Sequence, residues 1–194
     1  MFLRAWRDST ERVLRYRHFA RADLPLRIAP DFAETAFAEP LERTLAARAF
    51  GTVRDHEVFF DASGEPEALR LDLALISDRP QVVSCVTDFL EGLDAPVGSA
   101  LSDQGGTDLA QFGSAEGLGL YLPAQDATEE IRLDIAEACT DALGGAGLYQ
   151  GSAHFMDKTA LYFYGDSFNK MRAALTFVIG HDPKCDGAVV RRLT

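Results

Sequence analysis

Along this chain one order of periodicities occurs twice, and that repetition limits the possible folds more than any other feature. In the first round, residues 24–30 alternate as a short strand, with Leu26 and Ile28 on one face and Arg27 on the other. Asp31 and Glu34 have capping-box spacing for a helix start. Pro40 would break a continuous helix but fits the first position of a second start near Glu39. Leu41, Leu45 and Ala49 then form a helical stripe that Gly51 is placed to end. Strands are predicted over 53–61 and 68–76, separated by turn residues; the alternation of 68–76 is the clearest strand signal in the chain. Ser77 or Asp78 is a cap for a helix with Pro80 in its first turn and Val83, Val86, Phe89, Leu90 and Leu93 as its apolar stripe. A short strand over 99–102 closes the round.

The second round begins with a strand over 117–123, carrying Leu118, Leu120 and Leu122. Asp126 and Glu129 again have capping-box spacing, and Ile131, Ile135, Ala138, Cys139 and Ala142 make the stripe that Gly144 and Gly145 end. Strands over 148–157 and 159–164 flank a tight turn. Asp166 or Ser167 caps a helix carrying Phe168, Met171, Leu175, Val178 and Ile179, Gly180 stops it, and a strand over 188–193 follows. At an offset of 96, Gly51, Phe59 and Asp61 fall on Gly147, Phe155 and Asp157; at 88, Asp78, Phe89, Gly92 and Asp94 fall on Asp166, Phe177, Gly180 and Asp182. The glycines are expected at helix ends, where a left-handed residue is wanted.

A β-α-β-β-α-β order is the ferredoxin-like arrangement, an antiparallel sheet with both helices on one face. The expected fold is therefore α+β, two such units in tandem. The boundaries are a basic helical extension over 1–23, a first unit over 24–103, a linker or mobile loop over 104–116 and a second unit over 117–194. The likeness is architectural, and this architecture serves many unrelated functions.

Helices cover one face of each sheet, so the other must meet solvent, a partner or the second unit. Leu71, Leu73 and Leu75 should face the helices, leaving Arg70, Asp72, Ala74 and Ile76 on the open face. Arg27 and either Arg54 with His56 or Asp55 with Glu57 join them, which makes that face charged. In the second unit Leu161 and Phe163 should face the helices, with Ala160, Tyr162, Tyr164 and Tyr121 turned away and His154 beside them. An aromatic face of that kind calls for a cover.

With 194 residues and a net charge of −11, the chain can bury a substantial core and would repel a phosphate backbone, which argues against nucleic acid and suits a basic protein partner. The first 27 residues run against that balance, with seven arginines against Asp8, Glu11 and Asp23. Arg4, Arg7 and Asp8 interrupt any secretory signal, no apolar run suits a membrane span, and three scattered cysteines (Cys85, Cys139 and Cys185) fit neither a disulfide framework nor zinc. A cytoplasmic monomer or homodimer is expected.

Catalytic motifs are absent. Gly113 to Gly117 lacks nucleophile-elbow spacing, the four histidines are far apart, and the glycines at 144–147 follow a helix rather than precede one. Cys185 beside Lys184 is a candidate reactive thiol, and His154, His56 and Asp72 are candidates for proton transfer. The sequence is read as a non-catalytic acidic binding protein, inhibitor-like or immunity-like, with no catalytic residue, metal or cofactor. Its candidate binding residues are Arg54, His56, Arg70, Asp72, Tyr121, His154, Tyr162 and Tyr164. The alternative is a small-molecule sensor or enzyme with a site between the two units, lined by Tyr162, Tyr164 and His154.

Overall fold

A computed structural model describes residues 17–123, 128–156 and 158–193. The predicted helix over residues 1–16, with Trp6, Val13 and Leu14, lies outside them, as does Asp126. The first unit runs β1 (His18–Leu24), a helix α1 in three contiguous pieces (Pro30–Phe32, Ala33–Ala38, Glu39–Ala47), β2 (Gly51–Phe60), β3 (Pro66–Leu75), α2 (Pro80–Glu91), β4 (Ser99–Asp103) and β5 (Asp108–Phe112). The second runs β6 (Glu116–Pro123), α3 (Glu129–Leu143), β7 (Leu148–Phe155), β8 (Lys158–Gly165), α4 (Phe168–His181), a 3-10 turn (Pro183–Cys185) and β9 (Val189–Leu193).

The strand orders establish the fold. The first sheet is β2-β3-β1-β4-β5 and the second β7-β8-β6-β9, with every ladder antiparallel. Without β5, both show the same permutation, in which the first and third strands of the unit lie side by side at the centre. The chain is α+β, two ferredoxin-like units in tandem.

Several local expectations change. Residues 18–23 are strand, not helical extension: Ala20, Ala22 and Leu24 are buried while Arg21 points out on the open face. The alternation seen over 24–30 is real, since Leu26 and Ile28 are fully buried, but beyond Leu24 it forms no ladder. Pro25 and Pro30 lack the N–H groups a central strand must donate. Residues 108–112 are a fifth strand rather than linker, hairpinned onto β4. Their weak alternation hid them, and Gly105 and Gly106 belong to the turn of that hairpin.

Helix starts also differ. Ala29, not Asp31, is the N-cap of α1, and Pro40 sits within a continuous helix because the preceding Ala33–Ala38 segment is a π-helix. That wider turn moves the backbone off the i−4 register with which a proline ring clashes. Arg79 caps α2 position without a side-chain bond, and the cap of α3 is the Thr128 hydroxyl, which accepts from the Ile131 amide. At α4, Ser167 makes no cap bond; the Phe168 amide donates instead to the Glu116 carboxylate of β6 at 2.6 Å. Gly180 lies inside α4, which continues to His181. Gly51 and Gly147 stand at or beside the start of the second strand in each unit, while the left-handed residues that follow helices are Ala49 after α1, Asp94 after α2, and Gly144 and Gly145 after α3.

Two cores result. One lies between the second sheet and its helices, built from Leu118, Leu120, Ile135, Cys139, Leu161, Phe163, Met171 and Leu175. The other holds the first unit's interior (Leu41, Leu45, Leu69, Leu71, Leu73, Val86) and continues into Tyr121, Phe155, Ala160, Tyr162, Tyr164 and Leu193 of the second sheet. The aromatic face is therefore covered by the first unit, chiefly by the extended stretch after β1, the start of α1 and the segment after α2. Phe32 meets Tyr149 edge-on at 5.7 Å, and the Gln150 side-chain amide donates to the Leu93 carbonyl at 3.1 Å.

Gly151 makes this approach possible. It has φ +94°, and a Cβ there would lie 2.9 Å from Cβ of Ala29. Gly151→Ala should lower unfolding stability by about 2–4 kcal/mol, combining backbone strain with overpacking. The midpoint of urea unfolding measures it; an unchanged midpoint would show that the contact between the units is loose.

Candidate functional site

The face of the second sheet that meets the first unit is graded. At one end Tyr164 pairs with Gly117 and Gly117 with Leu193; next come Tyr162, Gly119 and Arg191; at the far end Lys158 and Phe155 pair, with Tyr121 close by between Ala160 and Val189. Tyrosine sits opposite glycine because there is no room for two side chains. A Cβ on Gly119 would come within 2.7 Å of the Tyr121 ring. The aromatic end is dry, with Tyr162 and Tyr164 0% and 1% exposed. The far end opens into a cavity of about 370 Å³ lined by Arg27, Asp61, Ser63 and Glu65 of the first unit and Tyr121, Phe155, Met156, Lys158 and Arg191 of the second.

Each first-unit group is positioned by local chemistry. Arg27 alternates with buried Leu26 and Ile28, which turns it toward the second sheet. Its amide donates to the Tyr164 hydroxyl at 2.8 Å, and its guanidinium reaches the Glu65 carboxylate at 2.8 Å and the Pro66 carbonyl at 3.2 Å. The β2–β3 turn is closed by the Asp61 carboxylate, which accepts from the Ser63 amide (2.8 Å), the Ser63 hydroxyl (2.6 Å) and the Glu65 amide (3.1 Å). The turn thereby presents Glu65, itself only 8% exposed, to Tyr121 and Tyr162, whose hydroxyls donate to it at 2.7 and 3.2 Å.

These contacts fix protonation states. Burial above all, then the Glu65 carboxylate, pushes the Tyr121 and Tyr162 hydroxyls far above the ordinary phenol range. Burial takes Tyr164 up to about 12. The Ser63 hydroxyl, outweighing partial burial and helped by the Ser63 and Glu65 amides and the Arg27 charge, holds Asp61 below its ordinary value. On the second-unit side the Arg191 guanidinium lies over the Tyr121 ring at 5.0 Å, and Phe155 stands edge-on to that ring at 6.4 Å. Among the described residues neither Lys158 nor Arg191 forms an ion pair.

Of the residues expected to form a site, Tyr121 alone lines this cavity. Tyr162 and Tyr164 do face the seam, but they are packed shut and act as its framework. His154 does not join them: it opposes Thr159 on the helix-facing side and bonds its hydroxyl at 3.1 Å. Arg70 and Asp72 are on the first sheet's open face as expected, but they are paired there with Asp23 (2.8 Å) and Arg21 (3.3 Å). A bulge between Val53 and Asp55 settles the orientation of β2: Asp55 and Glu57 oppose Asp72 and Arg70, and Arg54 stacks over Phe19 at 4.9 Å. His56 opposes Leu71 and borders a separate cleft with Glu34, Glu39 and Glu42. Ala74 shares the parity of Arg70 and Asp72, as expected, and is fully buried there between Phe19 and Thr52, its partners on the flanking strands. Cys185 is buried rather than reactive, its thiol pushed up by burial.

Sequence reasoning missed Glu65, Asp61, Lys158 and Arg191. Alternation carries the signal for two of them, since Lys158 shares parity with Ala160 and Arg191 with Leu193. Glu65 lies in a turn, where no periodicity marks it.

No protein-family model and no curated protein matches the sequence. Among solved structures, the ligand-free regulatory subunit of aspartate kinase from Thermus thermophilus aligns at 11% identity over 81% of this chain and 91% of that one, TM-score 0.28. The first two RRM domains of the yeast poly(U)-binding protein align at 10% identity over 90% and 99%, TM-score 0.26. An anthrone oxidase-like protein aligns at 11% over 90% and 89%, TM-score 0.26. At such scores none of these likenesses bears on this chain's function, and the fold assignment rests on strand order. No helix among the described residues is long and apolar enough to cross a membrane.

The lowered Asp61 acidity makes a pH prediction. Its folded value lies below the unfolded one, so its contribution to stability is present above an unfolded pKa of about 3.9 and is lost as pH falls through the lower folded value. Asp61→Asn should therefore reduce stability at neutral pH, and the gap to the unsubstituted protein should close below about pH 4. Urea unfolding from neutral pH to pH 2 measures it; a gap independent of pH would show that the carboxylate's charge plays no part.

Proposed function

We propose that this protein is a non-catalytic binding protein whose ligand site is the cavity between its two units. The observation that carries the reading is that both units contribute polar groups to one concavity and that these are held in place by contacts behind the lining. A cavity of this size falls at the small end of the range for ligand sites, and the seam between two units is a common place for one. The preorganisation is also what a binding site needs, because side chains already ordered lose little entropy when a ligand arrives.

Binding fits this cavity better than catalysis. General acid–base chemistry works best with a group that titrates near the operating pH. Here the phenol of Tyr121 is driven upward and Asp61 downward, so each keeps one protonation state through the neutral range. Among the described residues no histidine or cysteine lines it.

Backbone amide shifts recorded while a panel of small polar molecules of varied charge is added test the reading. Shifts should cluster at residues 61–65, 155–156 and 190–192, and Ser63→Trp, which projects bulk into the cavity, should suppress them. A panel that moves none of these amides would overturn it.

A second reading is favoured by a different observation. Among the described residues nothing covers the open face of the first sheet, which carries Arg21, Asp23, Asp55, Glu57, Arg70 and Asp72, with the Arg70 guanidinium over Phe59 at 4.5 Å. A protein partner of complementary charge would dock there. Such a complex should weaken as salt rises. Pull-down at low and high ionic strength checks this, and a salt-independent complex would exclude a charge-driven one.

A further inference from the structure

The ligand's charge follows from which groups in the cavity still have bonding capacity. We infer that the junction cavity takes a small organic anion, with its carboxylate or phosphate held by Lys158 and Arg191 and its apolar body against Tyr121 and Phe155. This rests on the reading that the cavity is a ligand site.

Among the described residues five charged ones line it, two acidic and three basic. Both acids are engaged by the protein itself. Asp61 accepts three hydrogen bonds through one oxygen, and Glu65 accepts two phenols on one oxygen and Arg27 on the other. Arg27 is committed in turn to Glu65 and the Pro66 carbonyl. A ligand cation would have to compete with those donors for the carboxylates, in a place where an unsatisfied donor is costly. Lys158 and Arg191 are different, since neither forms an ion pair among the described residues.

The position of Arg191 adds geometry. Its guanidinium carbon lies 5.0 Å from the centroid of the Tyr121 ring, and its N–H donors form a planar fork. That planar fork matches a carboxylate or phosphate. Lys158 starts β8, where it pairs with Phe155, and Arg191 comes from β9, so the two cations enter from opposite sides of β6. Phe155 is 9% exposed and Met156, at the rim, 77%, which supplies apolar surface next to the charges. In a chain of net charge −11, a concave cluster with two cations to spare is also where the field would favour an anion locally.

Titration calorimetry on the full chain at low salt, with benzoate, phenyl phosphate, inorganic phosphate and neutral benzamide as probes, tests the class. Benzoate or phenyl phosphate should bind and benzamide should not; whichever of the two is tighter identifies a carboxylate or a phosphate ligand. Lys158→Gln and Arg191→Met should each weaken binding at least tenfold. Lys170→Gln and Arg172→Met, which remove exposed charge on α4, should leave it within twofold. Equal losses from the α4 variants would reduce the effect to overall charge and overturn the inference. Benzamide binding in the cavity without the anions would overturn the anion class while leaving the cavity a ligand site. If no probe in this set or in the wider panel moves the cavity amides, both readings fall.

Discussion

The junction between the two units is organised around one buried carboxylate. Glu65 belongs to the first unit, yet two of its three side-chain partners are phenols of the second. Removing a carboxylate from water is expensive, and it is tolerated only when hydrogen bonds and an opposite charge replace the solvent. Here the replacement requires both units to be docked in a single register. Displacing the second sheet by one residue's rise of about 3.3 Å would carry both phenols out of hydrogen-bond reach and leave the Glu65 carboxylate without them. The apolar face alone would accept many dockings, so it is the polar cluster that selects one of them.

The same cluster explains why the cavity is where it is. The tyrosine end of the face is filled by the extended stretch after β1, which buries Leu26 and Ile28 on its other side. Toward Lys158 the first unit offers, among the described residues, Arg27 and the tip of its β2–β3 turn. That turn is rigid, drawn together by Asp61, so it cannot collapse onto the second sheet and fill the gap. A cavity persists between two preorganised surfaces whose shapes match at one end only.

Much of this was legible in the sequence. Periodicity located both helix pairs, and parity sorted the second sheet correctly: Leu161 and Phe163 inward, Ala160, Tyr162 and Tyr164 toward a cover. Parity failed where a bulge intervenes, as at Arg54, and where a histidine was assigned by company rather than by register, as at His154. The strand β1 was misread because its charges suggested a helix. On an open sheet face, Arg21 and Asp23 are as natural as they are on an exposed helix. The prolines at 25 and 30, which rule out a ladder over the predicted strand, were present to be read. The cap of α4 was not legible at all, since Glu116 lies 52 residues upstream of the amide it satisfies.

The second sheet is covered on both faces along its central strands, and β8 is enclosed from Thr159 to Gly165. The consequence concerns the order in which the chain folds. The contact between Arg27 and Tyr164 closes a separation of 137 residues, far longer than any ladder within either unit. Closing so long a loop costs entropy that the finished surfaces repay, so the expected order is that each unit forms before the two dock. Until docking, the second unit exposes three tyrosines and a phenylalanine on an open sheet, a surface prone to pair with other chains. The first unit, which comes earlier along the chain, shields that face once the two are docked.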